Sequence, residues 1–162
     1  MIIWLASYPK SGNTFVRALL SSFFFTETGS FDFDLIKSIP QFPKKIFFDK
    51  IGVDVNNRSL VIKNYIEAQK EINKNKKKKF LKTHGSFCKL DDKYEFTDLH
   101  NSLGVIYIVR DPRNVVTSLA HHFDVKIEDA YEKLKNNSVF GDIKNVPPSY
   151  VGSWSFNYIS WK

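Results

Sequence analysis

The chain holds a single cysteine, Cys88, and only one methionine, four histidines and seven glycines. One thiol excludes an internal disulfide and any cysteine-based metal site. No motif such as His-Glu-x-x-His is present, and no spacing of His, Asp and Glu marks a metal centre. Arginine is scarce, with Arg17, Arg58, Arg110 and Arg113 the only four among 24 basic residues. Nucleic-acid readers lean on arginine for bidentate contacts, and here the basic residues form no stripe with interleaved aromatics, so nucleic acid is not the expected partner. No apolar run is long enough to suggest a membrane span. Lys10 and Arg17 interrupt the N-terminal apolar stretch, and Lys10 falls where a signal peptide would keep its apolar core. The expectation is a cytoplasmic protein without a transmembrane segment.

What is present is core-forming residue and positive charge. Hydrophobic residues make up 43% and aromatics 15% of 162 residues, enough for one globular domain with its own core. No repeat or second domain is visible, so 1–162 is read as a single unit. A net charge of +7 suits an anionic ligand, although nucleic acid or a membrane surface would suit it too. The run Lys76-Lys77-Lys78-Lys79 reads as a solvated turn.

The segment 2–24 organises the rest. An apolar run, Ile2 to Ala6, suits a buried parallel strand, and Val16 to Phe24 suits an amphipathic helix. Between them Pro9 and Gly12 punctuate the chain, while Ser11, Asn13 and Thr14 favour a helix start. Such a turn leaves backbone N–H groups aimed outward at the positive end of the helix dipole, and Lys10 adds a full charge. The competing reading is an ordinary strand–helix turn with a surface lysine. A nucleotide-hydrolysing P-loop fits poorly, because its lysine follows a glycine and here Lys10 precedes Gly12.

Two further strands end in polar clusters. Phe80-Leu81-Lys82-Thr83-His84-Gly85 closes on three polar side chains. Gly104 to Val109 is the clearest buried run in the chain, and it leads through Arg110-Asp111-Pro112-Arg113-Asn114 into a helix from Val115 to Phe123. A helix is expected over about 59–75, with Ser59 a candidate cap, another over 126–134, and a last one over 150–162 beyond Pro147-Pro148. Residues 26–57 lack periodicity and read as a functional loop or a mobile insertion, with a short helix near 34–39. Alternation of strands and helices implies an α/β fold, a parallel sheet flanked by helices on both faces. Ligands of such sheets bind beyond the carboxyl ends of the strands, and all three polar clusters fall there.

The order Tyr8-Pro9-Lys10-Ser11-Gly12-Asn13-Thr14-Phe15 resembles the phosphosulfate loop of sulfotransferases that use 3′-phosphoadenosine 5′-phosphosulfate (PAPS). Ile108 to Ser118 is similar to the motif with which that family holds the 3′-phosphate, Arg110 and Ser118 standing at the two phosphate-binding positions. Lys82-Thr83-His84 resembles the segment that carries the family's catalytic base, and Val151-Gly152-Ser153-Trp154 resembles its Gly-Ser/Thr-Trp segment. Residues 26–75 match loosely. The resemblance implies a P-loop-NTPase-like sulfotransferase fold and in-line transfer of a sulfuryl group from PAPS to a hydroxyl or amine acceptor. It implies His84 as general base, Lys10 stabilising the departing nucleotide PAP (3′-phosphoadenosine 5′-phosphate), and Lys82 assisting. Ser11, Gly12, Asn13 and Thr14 would hold the 5′-phosphosulfate and Phe15 would face the adenine, with no metal required. The family continues with further sheet strands and an Arg-Lys-Gly loop that this sequence lacks. The fold is therefore expected to be incomplete, with an apolar sheet edge uncovered. An oligomer or a missing C-terminal portion would supply the rest. The remaining alternatives are a catalytically incomplete PAPS/PAP-binding fragment and a small-molecule kinase of related fold. The acceptor, a small molecule or a sugar, is not specified.

Overall fold

Strand β1, Ile2–Ser7, lies in the middle of a parallel three-stranded sheet, between the strands β2 (Lys79–Thr83) and β5 (Ser102–Ile108). The computed structural model describes residues 1–136, 139–140 and 144–162. Around β1 the chain runs as α1 (Asn13–Phe25), a 3-10 turn (Phe33–Ser38), α2 (Lys45–Asp49), α3 (Arg58–Lys63) and α4 (Tyr65–Asn73). It continues as β2 (Lys79–Thr83), the two-residue strands β3 (Lys89–Leu90) and β4 (Tyr94–Glu95), and β5 (Ser102–Ile108). The remainder is α5 (Pro112–Phe123), α6 (Ile127–Lys135), the short pair β6 (Val139–Phe140) and β7 (Ser149–Tyr150), and α7 (Trp154–Trp161).

Alternation along β1 splits its side chains between two layers. Ile2 and Trp4 join a core with Phe42, Phe48, Val61, Tyr65, Leu81 and Phe96. The rings of Phe42, Phe96 and Trp161 all lie within 6.5 Å of Trp4. A second cluster, from Tyr8 to Val115, Leu119, Ala130, Leu134 and Val151, ties α5 and α6 to the carboxyl end of the sheet. All three strands are parallel, so their carboxyl ends lie together, as the alternating pattern requires.

The structure corrects several boundaries. The single helix expected over 59–75 is two helices, broken at Asn64, which has φ −108° and ψ 14° and whose side-chain amide bonds Leu60 O. Asn57 rather than Ser59 caps α3, accepting from Leu60 N–H at 3.1 Å. The final helix begins only at Trp154. Tyr150 is paired in β7, and Gly152 takes φ +72°, where an added Cβ would lie 2.6 Å from the Phe156 ring. Ser153 then caps α7 by accepting from Phe156 N–H. Strand β5, expected to be the most buried, is an edge strand with Leu103, Val105 and Ile106 half-exposed. A buried strand and an uncovered apolar edge have the same composition, and only the neighbours tell them apart.

Candidate active site

Beyond the carboxyl ends of β1, β2 and β5 lies a cavity of about 620 Å³, within the range of small-ligand sites. Lys10, Gly12, Asn13 and Thr14 line it from the first turn, Lys82 and His84 from the second, and Arg110 and Ser118 from the third. The three polar clusters of the sequence therefore meet. Ser11 and Phe15 do not line the cavity. Ser11 is buried with its Oγ lacking any partner, and Phe15 is exposed.

The first turn is shaped for an anion. Lys10 has φ +67° and Gly12 φ +98°, a paired left-handed geometry that glycine takes without strain. Gly12 caps α1 with no side-chain hydrogen bond, and the helix ladder starts only at Val16 N–H to Gly12 O. The amides of Asn13, Thr14 and Phe15 thus stand free at the positive end of a thirteen-residue helix. The Asn13 side chain is engaged within the protein. Its buried amide donates to Leu5 O and Ser7 Oγ, both at 3.1 Å, which fastens the turn to β1.

Arg110 donates to Lys10 O at 3.0 Å, joining the third cluster to the first. The carboxylate beside it, Asp111, is held by Arg113 instead, at 2.5 Å, so Arg110 keeps its remaining N–H groups. Asp111 also caps α5 through Arg113 N–H. Ser118 follows on α5.

His84 is held from both sides. Its Nδ1 lies 2.8 Å from Ser7 O and 3.2 Å from Ser7 Oγ. A carbonyl only accepts, so Nδ1 carries the proton and Nε2 keeps the free lone pair. The backbone oxygen of His84 accepts from Asn157 Nδ2 at 3.0 Å. Burial, and then the ammonium of Lys82, lower the His84 pKa to about 3. Lys82, buried and donating to Gln41 Oε1 at 2.7 Å, is itself lowered to about 7, chiefly by burial and next by Arg17. Among the described residues no carboxylate lines the cavity beside this imidazole and these cations.

Several lining residues carried no motif. Arg17 and His122 sit one helical turn after Asn13 and Ser118, so spacing of four along α1 and α5 was the available signal. Arg17 also donates to Ile36 O and Ile39 O, anchoring the 3-10 turn to α1. Gln41 forms an isolated bridge to Lys82 and Ser149 lies in the two-residue β7, stretches too short for a periodicity to mark them. Ser149 Oγ, Asn13 Oδ1 and Arg17 Nε are buried beside the cavity without partners. Asn157 is the largest omission. Fully buried, it donates to Val151 O, Ser86 Oγ and His84 O, and accepts from the Tyr107 hydroxyl.

No helix among the described residues is long and apolar enough to cross a membrane. No curated protein matches the sequence. The family model described as Sulfotransferase domain matches residues 2–157, and with nearly the whole sequence covered, the chain belongs to the sulfotransferase domain family.

Proposed function

We propose that the chain transfers a sulfuryl group from PAPS to a hydroxyl or amine acceptor by in-line displacement. The observation that carries this reading is the hydrogen bond from His84 Nδ1 to Ser7 O, which leaves Nε2 as a base inside a cation-lined cavity. The available donors fit a nucleotide with two separate anionic groups: free amides at α1, Lys10 and Arg110, and the orphaned Ser149 hydroxyl. PAPS, when bound, supplies the sulfuryl group and leaves as PAP. Lys10 and the amides of residues 12–15 hold the 5′-phosphosulfate, and Lys10 neutralises charge on the bridging oxygen as it departs. Arg110 and Ser118 hold the 3′-phosphate, the guanidinium by a fork of N–H groups. His84 Nε2 takes the acceptor's proton as the new S–O bond forms. Lys82 adds positive charge beside the transferred group. Among the described residues the lining offers cations and amides rather than carboxylates, which suits a metal-free donor better than a magnesium–ATP complex.

The site draws on chain from Pro9 to Val151, so we treat 1–162 as one domain. Cys88 is half-buried and free, in keeping with the reducing cytoplasm. A second reading, PAP binding without turnover, draws on the bare apolar edge of β5 beside the 3′-phosphate cluster.

Calorimetric titration with PAP and with ATP tests the site. Selective binding of PAP, weakened at least tenfold in Lys10→Ala and in Arg110→Ala, is the expected result. Equal binding of ATP, or no binding of PAP by the folded chain, would overturn the assignment. Incubation with PAPS and a panel of phenols, alcohols, sugars and amines then separates the two readings. Turnover lost in His84→Ala with PAP affinity kept supports catalysis, and PAP binding with no turnover supports the second reading.

A further inference from the structure

A second, larger groove of about 1070 Å³ lies where β1 and β2 begin, away from the strand ends that form the cation cavity. Ile3, Phe24, Phe25, Phe47, Ile72 and Phe80 give it an apolar floor. Lys37, Lys50, Lys74, Lys78 and Lys79 also line it, against one carboxylate, Glu71. Glu71 pairs with Lys74 at 3.4 Å and Lys37 pairs with Asp34 at 2.6 Å. Lys50, Lys78 and Lys79 have no carboxylate partner among the described residues. Burial, followed by the charges of Lys50 and Lys77, lowers the Lys79 pKa, so like charges converge on this rim.

The apolar surface does not stop at the groove. On α1 the residues Phe15, Leu19 and Phe23, each four apart, are all exposed and form one unpartnered stripe. Phe23 meets the edge of Phe24 at 4.9 Å, and Phe24 meets Phe80 at 5.3 Å, which makes stripe and groove floor continuous. A soluble ligand seated in the groove would leave Phe23, 73% exposed, in water. A second copy presenting the same face would set lysine against lysine. A surface that is apolar inside and anionic at its boundary covers both features at once.

We propose that this face docks the protein on an anionic lipid bilayer, with Phe23, Phe24 and Phe25 at the acyl boundary and Lys50, Lys74, Lys78 and Lys79 over the headgroups. The four-lysine run at 76–79 then belongs to a binding face rather than to a solvated turn. The groove shares no lining residue with the nucleotide site.

Co-sedimentation of the full chain with vesicles tests it, using phosphatidylcholine alone and phosphatidylcholine with about one-third phosphatidylglycerol. Binding to the anionic vesicles only, lost at about 0.5 M salt, is expected. Each lysine near an anionic surface is worth roughly fivefold in partition, so reversing two in Lys50→Glu/Lys78→Glu should weaken binding by about 25-fold or more. Phe23→Ser should also weaken it, and both variants should keep the melting temperature of the parent because these side chains are exposed. Sedimentation with neither vesicle, equal sedimentation with both, or no effect of the charge reversal would overturn the proposal. So would a dimer that the reversal dissociates, or binding of monomeric laurate without binding of vesicles.

Discussion

Replacing Lys82 by methionine should make the unliganded protein more stable and a poorer binder of nucleotide. Lys82 is 8% exposed, and burial is the largest cause of its pKa falling from the ordinary lysine value to about 7. At pH 7 that displacement corresponds to about 4 kcal/mol of folding free energy lost to the buried ammonium, at 1.36 kcal/mol per pH unit. Methionine keeps the length of the stem and removes the charge, but it strands Gln41 Oε1, an exposed group that water can satisfy. Imperfect packing takes back part of the gain, leaving roughly 2–3 kcal/mol, or a melting temperature higher by about 4–12 °C for a chain of this size. The pH dependence identifies the cause. Between pH 7 and the unfolded lysine pKa the unfolded chain holds a proton that the native chain has released, so wild-type stability rises with pH. The advantage of Lys82→Met should therefore narrow by about 2 kcal/mol between pH 7 and pH 9 in urea titrations. An advantage that stays constant across that range, or a variant less stable than the parent at pH 7, would refute the buried-ammonium argument. PAP binding should weaken by about 10- to 100-fold in the same variant if Lys82 faces the bound anion.

The His84 imidazole should titrate near pH 3 in the free protein and move upward when PAP binds. The phosphates offset the Lys82, Arg17 and Lys10 charges that depress it, and NMR titration of the ring protons reads the change. With the native pKa below the unfolded one, stability should fall as pH drops through the window from about 6.5 to 3, and His84→Gln should flatten part of that loss in acid denaturation. Asn157→Ala removes two N–H donors shared among three acceptors and one accepted bond at a fully buried position, so a loss of about 2–4 kcal/mol in urea unfolding is expected. Gly152→Ala forces a Cβ to 2.6 Å from Phe156 at a positive φ and should lower the melting temperature clearly, whereas Gly29→Ala, with the same φ class but open space around it, should cost less.

Much of this arrangement was legible in the sequence, and the parts that were not share a cause. The apolar run of β1 and the polar turn after it are local, so the strand, the helix and the anion-shaped turn between them could be read from residues 2–24. Parallel alternation alone then puts Lys82, His84, Arg110 and Ser118 at one end of the sheet. What could not be read is set by neighbours distant in sequence. Whether the run at 102–108 is central or at an edge depends on what lies beside it, and its composition is the same in both cases. The break at Asn64 is marked by one side chain bonding back to Leu60, inside a segment whose periodicity continues on either side. Asn157 lies within α7. Its place as the tie between α7, the His84 carbonyl and the β5 tyrosine exists only in three dimensions.

The cost of the Lys82 ammonium and the silence of the His84 imidazole have one origin. The cavity gathers Lys10, Arg17, Lys82 and Arg110 with no carboxylate among its described lining residues, so in the free protein the Lys82 ammonium is opposed by burial and by Arg17. A structural ion-pair network would place acids there, and its removal would destabilise the fold. Here the missing negative charge is left to the ligand, so the same residues that weaken the empty protein must tighten it once an anion is bound. A melting temperature that rises with PAP by more in the parent than in Lys82→Met, until the liganded parent matches or exceeds the liganded variant, is the signature of that design. If PAP instead raised both by the same amount, the cation cluster would be a cost to the fold with no return at the site.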